Sequence, residues 1–232
     1  MVVSRDTTSG KRTKRLWTAV ATAVGVSLLL YFPDRDDGSG ATIGGLSALV
    51  GVVLVLVPLA RYRPLPKRSS REHGRLILQA LALGLGLGVA NLLVNYGLAI
   101  SRSAIYDQMV SRWSQFSAWS VVISGPIIEE IGYRLILLGL LAWLAARFTN
   151  SQRTITVVAL GVSSLLFGVA HIFYGGVEDP VYIVGMAVKS AAGGLLLGWI
   201  FWRWGLAYSI ASHCAANGTH LLLMPALFRL ST

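Results

Sequence analysis

Seven apolar runs follow one another through this chain, at residues 16–32, 41–60, 76–100, 126–148, 154–173, 181–202 and 206–223. A helix needs about 20 apolar residues to cross the hydrocarbon core of a bilayer. The expected fold is all-α: a polytopic transmembrane helical bundle of about seven spans. The charged fraction agrees, because 13% charged residues is half of what a soluble domain carries. Mean hydropathy is +0.64. One compact helical domain is expected.

The connectors carry the charge. Residues 1–15, 61–75 and 146–153, together with Arg203, hold fourteen of the 20 Lys and Arg residues. The alternate connectors hold four: Arg35, Arg102, Arg112 and Arg229. Cytoplasmic segments are enriched in Lys and Arg, so the N-terminus is expected inside and the C-terminus outside. The net charge of +10 is then a signature of membrane topology, and no nucleic-acid partner is implied. The first run follows a basic stretch, as a signal peptide would. Tyr31-Phe32-Pro33-Asp34 offers no small-residue cleavage site, so an uncleaved anchor is expected. Residues 101–115 read as a mixed loop or interfacial helix. Residues 116–124 read as interfacial, re-entrant or a further span, broken at Gly125-Pro126, where proline suits the first turn of the next helix. The one cysteine, Cys214, lies in an apolar run, which rules out an intrachain disulfide and a paired-cysteine metal site and fits a small packing residue.

Against this apolar background a few ionisable residues stand out, and inside a membrane such residues mark function by default. Glu129, Glu130 and Arg134 open the run at 126–148. Successive helical residues turn by about 100°, so Glu130 and Arg134 share a face and can pair at i,i+4. Glu129 points away from Arg134, on the side of Tyr133, and faces something else. His171 closes the fifth run. His213 and Asn217 share a face of the last run, with His220 further along. Lys189 lies within the sixth run, either snorkelling to a surface or serving the site. Gly84, Gly86 and Gly88 in the third run suit close helix packing, within the bundle or between protomers. Each of these residues alone has a structural explanation. Together, a carboxylate, two imidazoles and an amide on three helices can activate water and stabilise an oxyanion.

The motifs Glu129-Glu130-Ile131-Gly132-Tyr133-Arg134, Phe167-Gly168-Val169-Ala170-His171 and His213-Cys214-Ala215-Ala216-Asn217, in that order, resemble those of the CPBP family. That family contains CAAX prenyl protease type II and the bacteriocin-processing or immunity proteins also called Abi. The resemblance covers residues 116–225, the expected catalytic transmembrane core. Residues 16–100 are expected to form N-terminal transmembrane helices, and residues 1–15 a cytoplasmic tail. The resemblance implies an intramembrane endopeptidase processing or sorting a C-terminal segment of membrane-anchored or exported proteins. Its expected partners are the lipid bilayer and a membrane-anchored protein or peptide substrate. By resemblance, Glu129 is the general base, His171 holds or polarises the water, and His213 and Asn217 stabilise the oxyanion. Glu130 and Arg134 fix the first helix. No cofactor is expected; the alternative is zinc, held by Glu129, His171 and His213. The alternative function is a non-catalytic immunity or scaffold protein of the same fold. A transporter is disfavoured because no inverted repeat is visible. The expected home is a bacterial plasma membrane. With the N-terminus inside, Glu129 and His171 both fall near outer helix ends, so the site is expected to open to the outer half.

Overall fold

The computed structural model describes residues 68–100, 117–175 and 179–229. The runs at 16–32 and 41–60, the tail at 1–15 and the segment 101–115 lie outside the described residues.

Every element described is helical. The first helix, α1 (Ser70–Ile100), begins six residues before the apolar run. Ser69 starts it: its Oγ accepts the Glu72 N–H at 3.3 Å, as a polar residue before a helix does. Arg71, His73 and Arg75 therefore lie on the first turns of α1, not in a loop. Next comes a helical column. It consists of a π-helical stretch Ser120–Ser124, α2 (Gly125–Glu129), a second π-helical stretch Glu130–Leu138, and α3 (Gly139–Ala145). Then follow α4 (Gln152–Gly175), α5 (Pro180–Trp204) and α6 (Leu206–Arg229).

The column departs from the sequence reading. Gly125-Pro126 was expected to break the chain, yet Ser124 and Gly125 both have helical backbone angles. A proline inside a regular α-helix clashes with the carbonyl four residues back. Widening the preceding turn relieves the clash, and the Gly125 N–H accordingly bonds Ser120 O, five residues back. A side chain at Gly125 would press on that same carbonyl, at 2.7 Å from its Cβ. The helix also stops at Ala145 rather than near Phe148, which is 82% exposed in the following turn.

Capping residues set α5. Asp179 Oδ1 accepts the N–H groups of Val181 (2.9 Å) and Tyr182 (3.1 Å), and Pro180 occupies the first turn. At the other end Gly205, with φ 114°, takes the left-handed region that glycine alone enters freely. The chain thereby passes from α5 to α6 across a single residue.

The largest interfaces are α4 with α5 and α1 with α6. Contacts fix the directions. Arg68 meets Trp204, His73 meets Tyr208, and Asn95 meets His220, so α1 and α6 run parallel. Gly168 packs on Ala187 and Ala191 while Gly198 packs on Leu160, so α4 and α5 run antiparallel. The Tyr133 carbonyl accepts from Ser163, and Leu138 packs on Leu160, so the column runs against α4. Hence α1, α4 and α6 point one way and the column and α5 the other. Arg68, Arg71, Arg75, Arg147, Arg153 and Arg203 all gather at the end where α1 and α4 begin.

Gly84 and Gly88 allow α1 and α6 to touch. A Cβ on Gly84 would run into the Ser212 carbonyl, and one on Gly88 would lie 2.5 Å from Ala216 O. Gly86, between them, faces open space. This spacing of small residues is the one helices use in membranes, where close backbone approach replaces the hydrophobic effect. These two glycines thus pack within the bundle.

The outside of the bundle is apolar. Leu78, Leu165 and Val188 are between 64% and 68% exposed. The buried set holds Glu130, Arg134, Asn95, His213 and His220. A soluble protein does not expose contiguous apolar surface on this scale; a membrane protein does so toward lipid. Among the described residues α1, α4 and α5 are long and apolar enough to cross a membrane. The column is divided into short segments, and α6 carries Ser209, Ser212, His213, Asn217, Thr219 and His220 along its length.

Candidate active site

Adjacent residues Glu129 and Glu130 have opposite environments. Glu130 is completely buried and wholly committed. Its Oε2 lies 3.4 Å from Arg134 Nε and accepts from the Ser209 hydroxyl, and its Oε1 is 2.9 Å from His213 Nδ1. Ser209 has one hydroxyl proton for two acceptors, Glu130 Oε2 and the Leu197 carbonyl at 2.9 Å. One carboxylate thereby joins the column to α6, and through Ser209 to α5. Arg134, equally buried, places its guanidinium 4.4 Å from the centre of the Phe167 ring. A cation over an aromatic face is attracted by the ring quadrupole, which brings α4 into the same assembly.

Glu129 retains 26% side-chain exposure. Its Oε2 lies 3.9 Å from His171 Nε2 and 3.7 Å from His213 Nε2. Both imidazoles are held from behind. His171 Nδ1 is 2.8 Å from the Phe167 carbonyl, which can only accept, so the ring proton resides on Nδ1. His213 Nδ1 likewise faces Glu130, an ionised acceptor beside Arg134. In their neutral forms both rings present an Nε2 lone pair toward Glu129. Three acceptors from three elements therefore converge where the carboxylate is still accessible. A small donor such as water suits such a place.

Phe167 is the hub beneath this arrangement. It is 3% exposed, and its ring meets His171 at 4.3 Å, Tyr133 at 4.9 Å and His213 at 6.2 Å between centroids. Both imidazoles and the paired arginine thus rest on one aromatic side chain.

The same three motif segments have a counterpart among known proteins. The family model described as type II CAAX prenyl endopeptidase Rce1-like matches residues 111–219. This stretch is an Rce1-like domain. No curated protein matches the chain, and no solved structure does.

The Rce1-like domain takes in the column, α4, α5 and half of α6, and α1 precedes it. Within it, Glu129, His171 and His213 meet directly. Asn217 stands one turn beyond His213 and reaches elsewhere, its Nδ2 donating to the Val121 carbonyl at 2.9 Å. That carbonyl belongs to the first π-helical stretch, where the i+5 partner would be Pro126, which has no N–H. Asn217 thus satisfies a backbone group that the proline leaves without its donor. Lys189 does not snorkel; it donates to Asn95 at 2.9 Å. His220 faces Asn95 rather than the carboxylates.

Ser209 and the hub role of Phe167 are absent from the sequence reading. Ser209, His213 and Asn217 are spaced by four, so the signal for Ser209 was its place one turn before His213 on the same face. Among the described residues no group of three or more His, Cys, Asp or Glu side chains is disposed to hold a metal ion.

Proposed function

We propose that the protein is an intramembrane endopeptidase in which Glu129 activates water against a peptide carbonyl. The observation that carries this reading is the contrast between neighbours: Glu130 is consumed by structure, whereas Glu129 stays accessible between two imidazole Nε2 atoms. A general base must reach its proton within hydrogen-bonding distance, directly or through one water.

In the proposed cycle a water enters between Glu129, His171 and His213. Glu129 takes one proton as the oxygen attacks the substrate carbonyl, and His171 Nε2 holds the second O–H. The carbonyl becomes an oxyanion. For His213 to donate to it, Nε2 must carry a proton while Nδ1 donates to Glu130. That is the imidazolium form: His213 enters the cycle already protonated from solvent, keeps that proton throughout, and has its charge supported by the adjacent Glu130 carboxylate. Asn217 has two amide protons, one committed to Val121, which leaves the other for the oxyanion. Collapse of the tetrahedral intermediate breaks the C–N bond, and Glu129 returns its proton to the leaving amine. Glu130, Arg134 and Ser209 position His213. No step needs a cofactor.

Seven spans with the basic end in the cytoplasm remain the proposed topology. His171 lies near the end of α4 and Glu129 near the start of the column, away from the basic end. The site is then proposed to face the outer half of a bacterial plasma membrane, with membrane-anchored or exported proteins as substrates, cut near a C-terminal segment. The test is cleavage of a panel of membrane-anchored peptides by purified protein in detergent, with and without a strong chelator. Cleavage that survives the chelator and vanishes in Glu129→Ala supports the proposal. Cleavage abolished by the chelator replaces it with a metalloprotease. Tight binding of peptides that stay uncut favours an immunity or scaffold role.

A further inference from the structure

A second polar cluster, made of Lys189, Asn95 and His220, lies in the same half of the bundle. Lys189 of α5 donates from Nζ to Asn95 Oδ1 of α1 at 2.9 Å. Asn95 Nδ2 faces His220 Nε2 of α6 at 3.5 Å. Asn95 and His220 are 2% and 4% exposed, whereas Lys189 is half-buried. Three helices thus meet at Asn95, with the only partly covered Lys189 side chain on its carbonyl side and His220 on its amide side. Asn95 is oriented by its two contacts, so its carbonyl oxygen is fixed toward the cation.

The hydrogen-bond partner of the ammonium is the Asn95 amide, and among the described residues no carboxylate pairs with it. A charge within a span is costly unless it is paired. Lys189 is the tenth residue of α5, about 14 Å along the helix from Pro180 at about 1.5 Å per residue. Phospholipid phosphates sit outside the hydrocarbon core, above this level. An anion that reaches it must be carried on a chain that enters the bundle.

Lys189 is also level with the proposed cleavage site. Gly168 of α4 packs on Ala187 and Ala191, which flank Lys189, and His171 follows Gly168 by three residues, about 5 Å of rise. Glu129 meets α6 at His213 and the Lys189–Asn95 pair meets it at His220, seven residues on along the same face and about 10 Å further up the helix. Packed helices stand about 8–10 Å apart, a distance that a few extended residues cover.

We propose that Lys189, Asn95 and His220 form a carboxylate-binding subsite that receives the C-terminal carboxylate of a peptide lying in the Glu129 site. The subsite rests on the endopeptidase reading for its ligand but is testable without turnover. Lys189 supplies a charge-assisted hydrogen bond, stronger than a neutral one. Asn95 aims that donor, and His220 holds Asn95.

The test uses full-length Glu129→Gln protein in nanodiscs and a fluorescent apolar peptide made in two forms, free acid and carboxamide. The acid is expected to bind about tenfold or more tightly than the amide, the size of one charge-assisted hydrogen bond. Lys189→Met removes that preference, Asn95→Leu reduces it, and Lys189→Arg retains part of it. Acid and amide bound alike, or a preference untouched by Lys189→Met, overturns the subsite; so does failure of both forms to bind. A fatty acid is the other source of the same group. Fatty-acid binding that depends on Lys189, with the two peptides bound alike, reassigns the pocket and overturns the peptide role. A parallel cleavage assay on wild type separates the two proposals. Acid and amide peptides cut equally well overturn the subsite alone. Preferred acid binding with no cleavage of either form overturns the endopeptidase alone.

Discussion

Replacing Arg134 by leucine should damage the protein far more than removing the whole ion pair. Arg134 and Glu130 are both completely buried, 3.4 Å apart. Arg134→Leu leaves the Glu130 carboxylate in a dry interior with only Ser209 and His213 as partners. Stranding one member of a buried pair costs about 3–5 kcal/mol. It also loses the guanidinium over the Phe167 ring at 4.4 Å, worth about 1–2 kcal/mol when desolvated. Glu130→Gln alone strands the arginine and should cost a similar amount. The double variant Arg134→Leu/Glu130→Gln leaves no unpaired charge: the glutamine carbonyl accepts from His213 Nδ1, and its amide N–H donates to the Ser209 hydroxyl oxygen. It should therefore lose clearly less than the sum of the single changes, with a coupling of about 2 kcal/mol or more. The assay is denaturant-induced unfolding of purified protein in one detergent for all four species. Additive losses would refute the reasoning, because they would mean that Glu130 and Arg134 do not share one buried environment.

Other consequences are simpler to read. Gly84→Val forces a branched side chain into the Ser212 carbonyl and should destabilise the protein by about 1–3 kcal/mol or more; Gly86→Ala, facing open space, should be neutral or stabilising by up to about 1 kcal/mol. Thermal unfolding of the two variants side by side checks the α1–α6 contact. His171→Ala removes a side chain that is 20% exposed and should abolish peptide cleavage while leaving the unfolding midpoint close to wild type. Asn217→Leu should both lower cleavage and cost about 1–3 kcal/mol, because it orphans the Val121 carbonyl. Pro126→Ala in the Asn217→Leu background should recover part of that stability by giving the carbonyl a backbone donor.

The sequence made some of this visible and concealed the rest for physical reasons. Helices α4 and α5 fall within two residues of the apolar runs at 154–173 and 181–202, because sharp signals bound them: Asp179 and Pro180 before α5, Gly205 after it. Helix α1 starts earlier than its apolar run because helix formation at Ser69 depends on a cap, which hydropathy does not register. The π-helical stretches left no periodic trace. Gly125-Pro126 suggested a break, yet widening the turn accommodates the proline, and the surplus carbonyl is satisfied by Asn217, 96 residues away. The pairing of Glu130 with Arg134 followed from their spacing, and the separate face of Glu129 from the same geometry. That His213 bridges the two carboxylates depends on how α6 packs against the column, which only the tertiary structure shows. Lys189 was undecided between a surface and the site; it took Asn95, on a helix outside the matched domain.

The most direct measurement compares Glu129→Gln with Glu130→Gln for both cleavage of a membrane-anchored peptide and unfolding in detergent. Glu129→Gln should lose cleavage entirely with its stability within about 0.5 kcal/mol of wild type, as expected for a side chain that supports no packing. Glu130→Gln should lose stability as well. Cleavage by Glu129→Gln at the wild-type rate would contradict the assignment of Glu129 as the base.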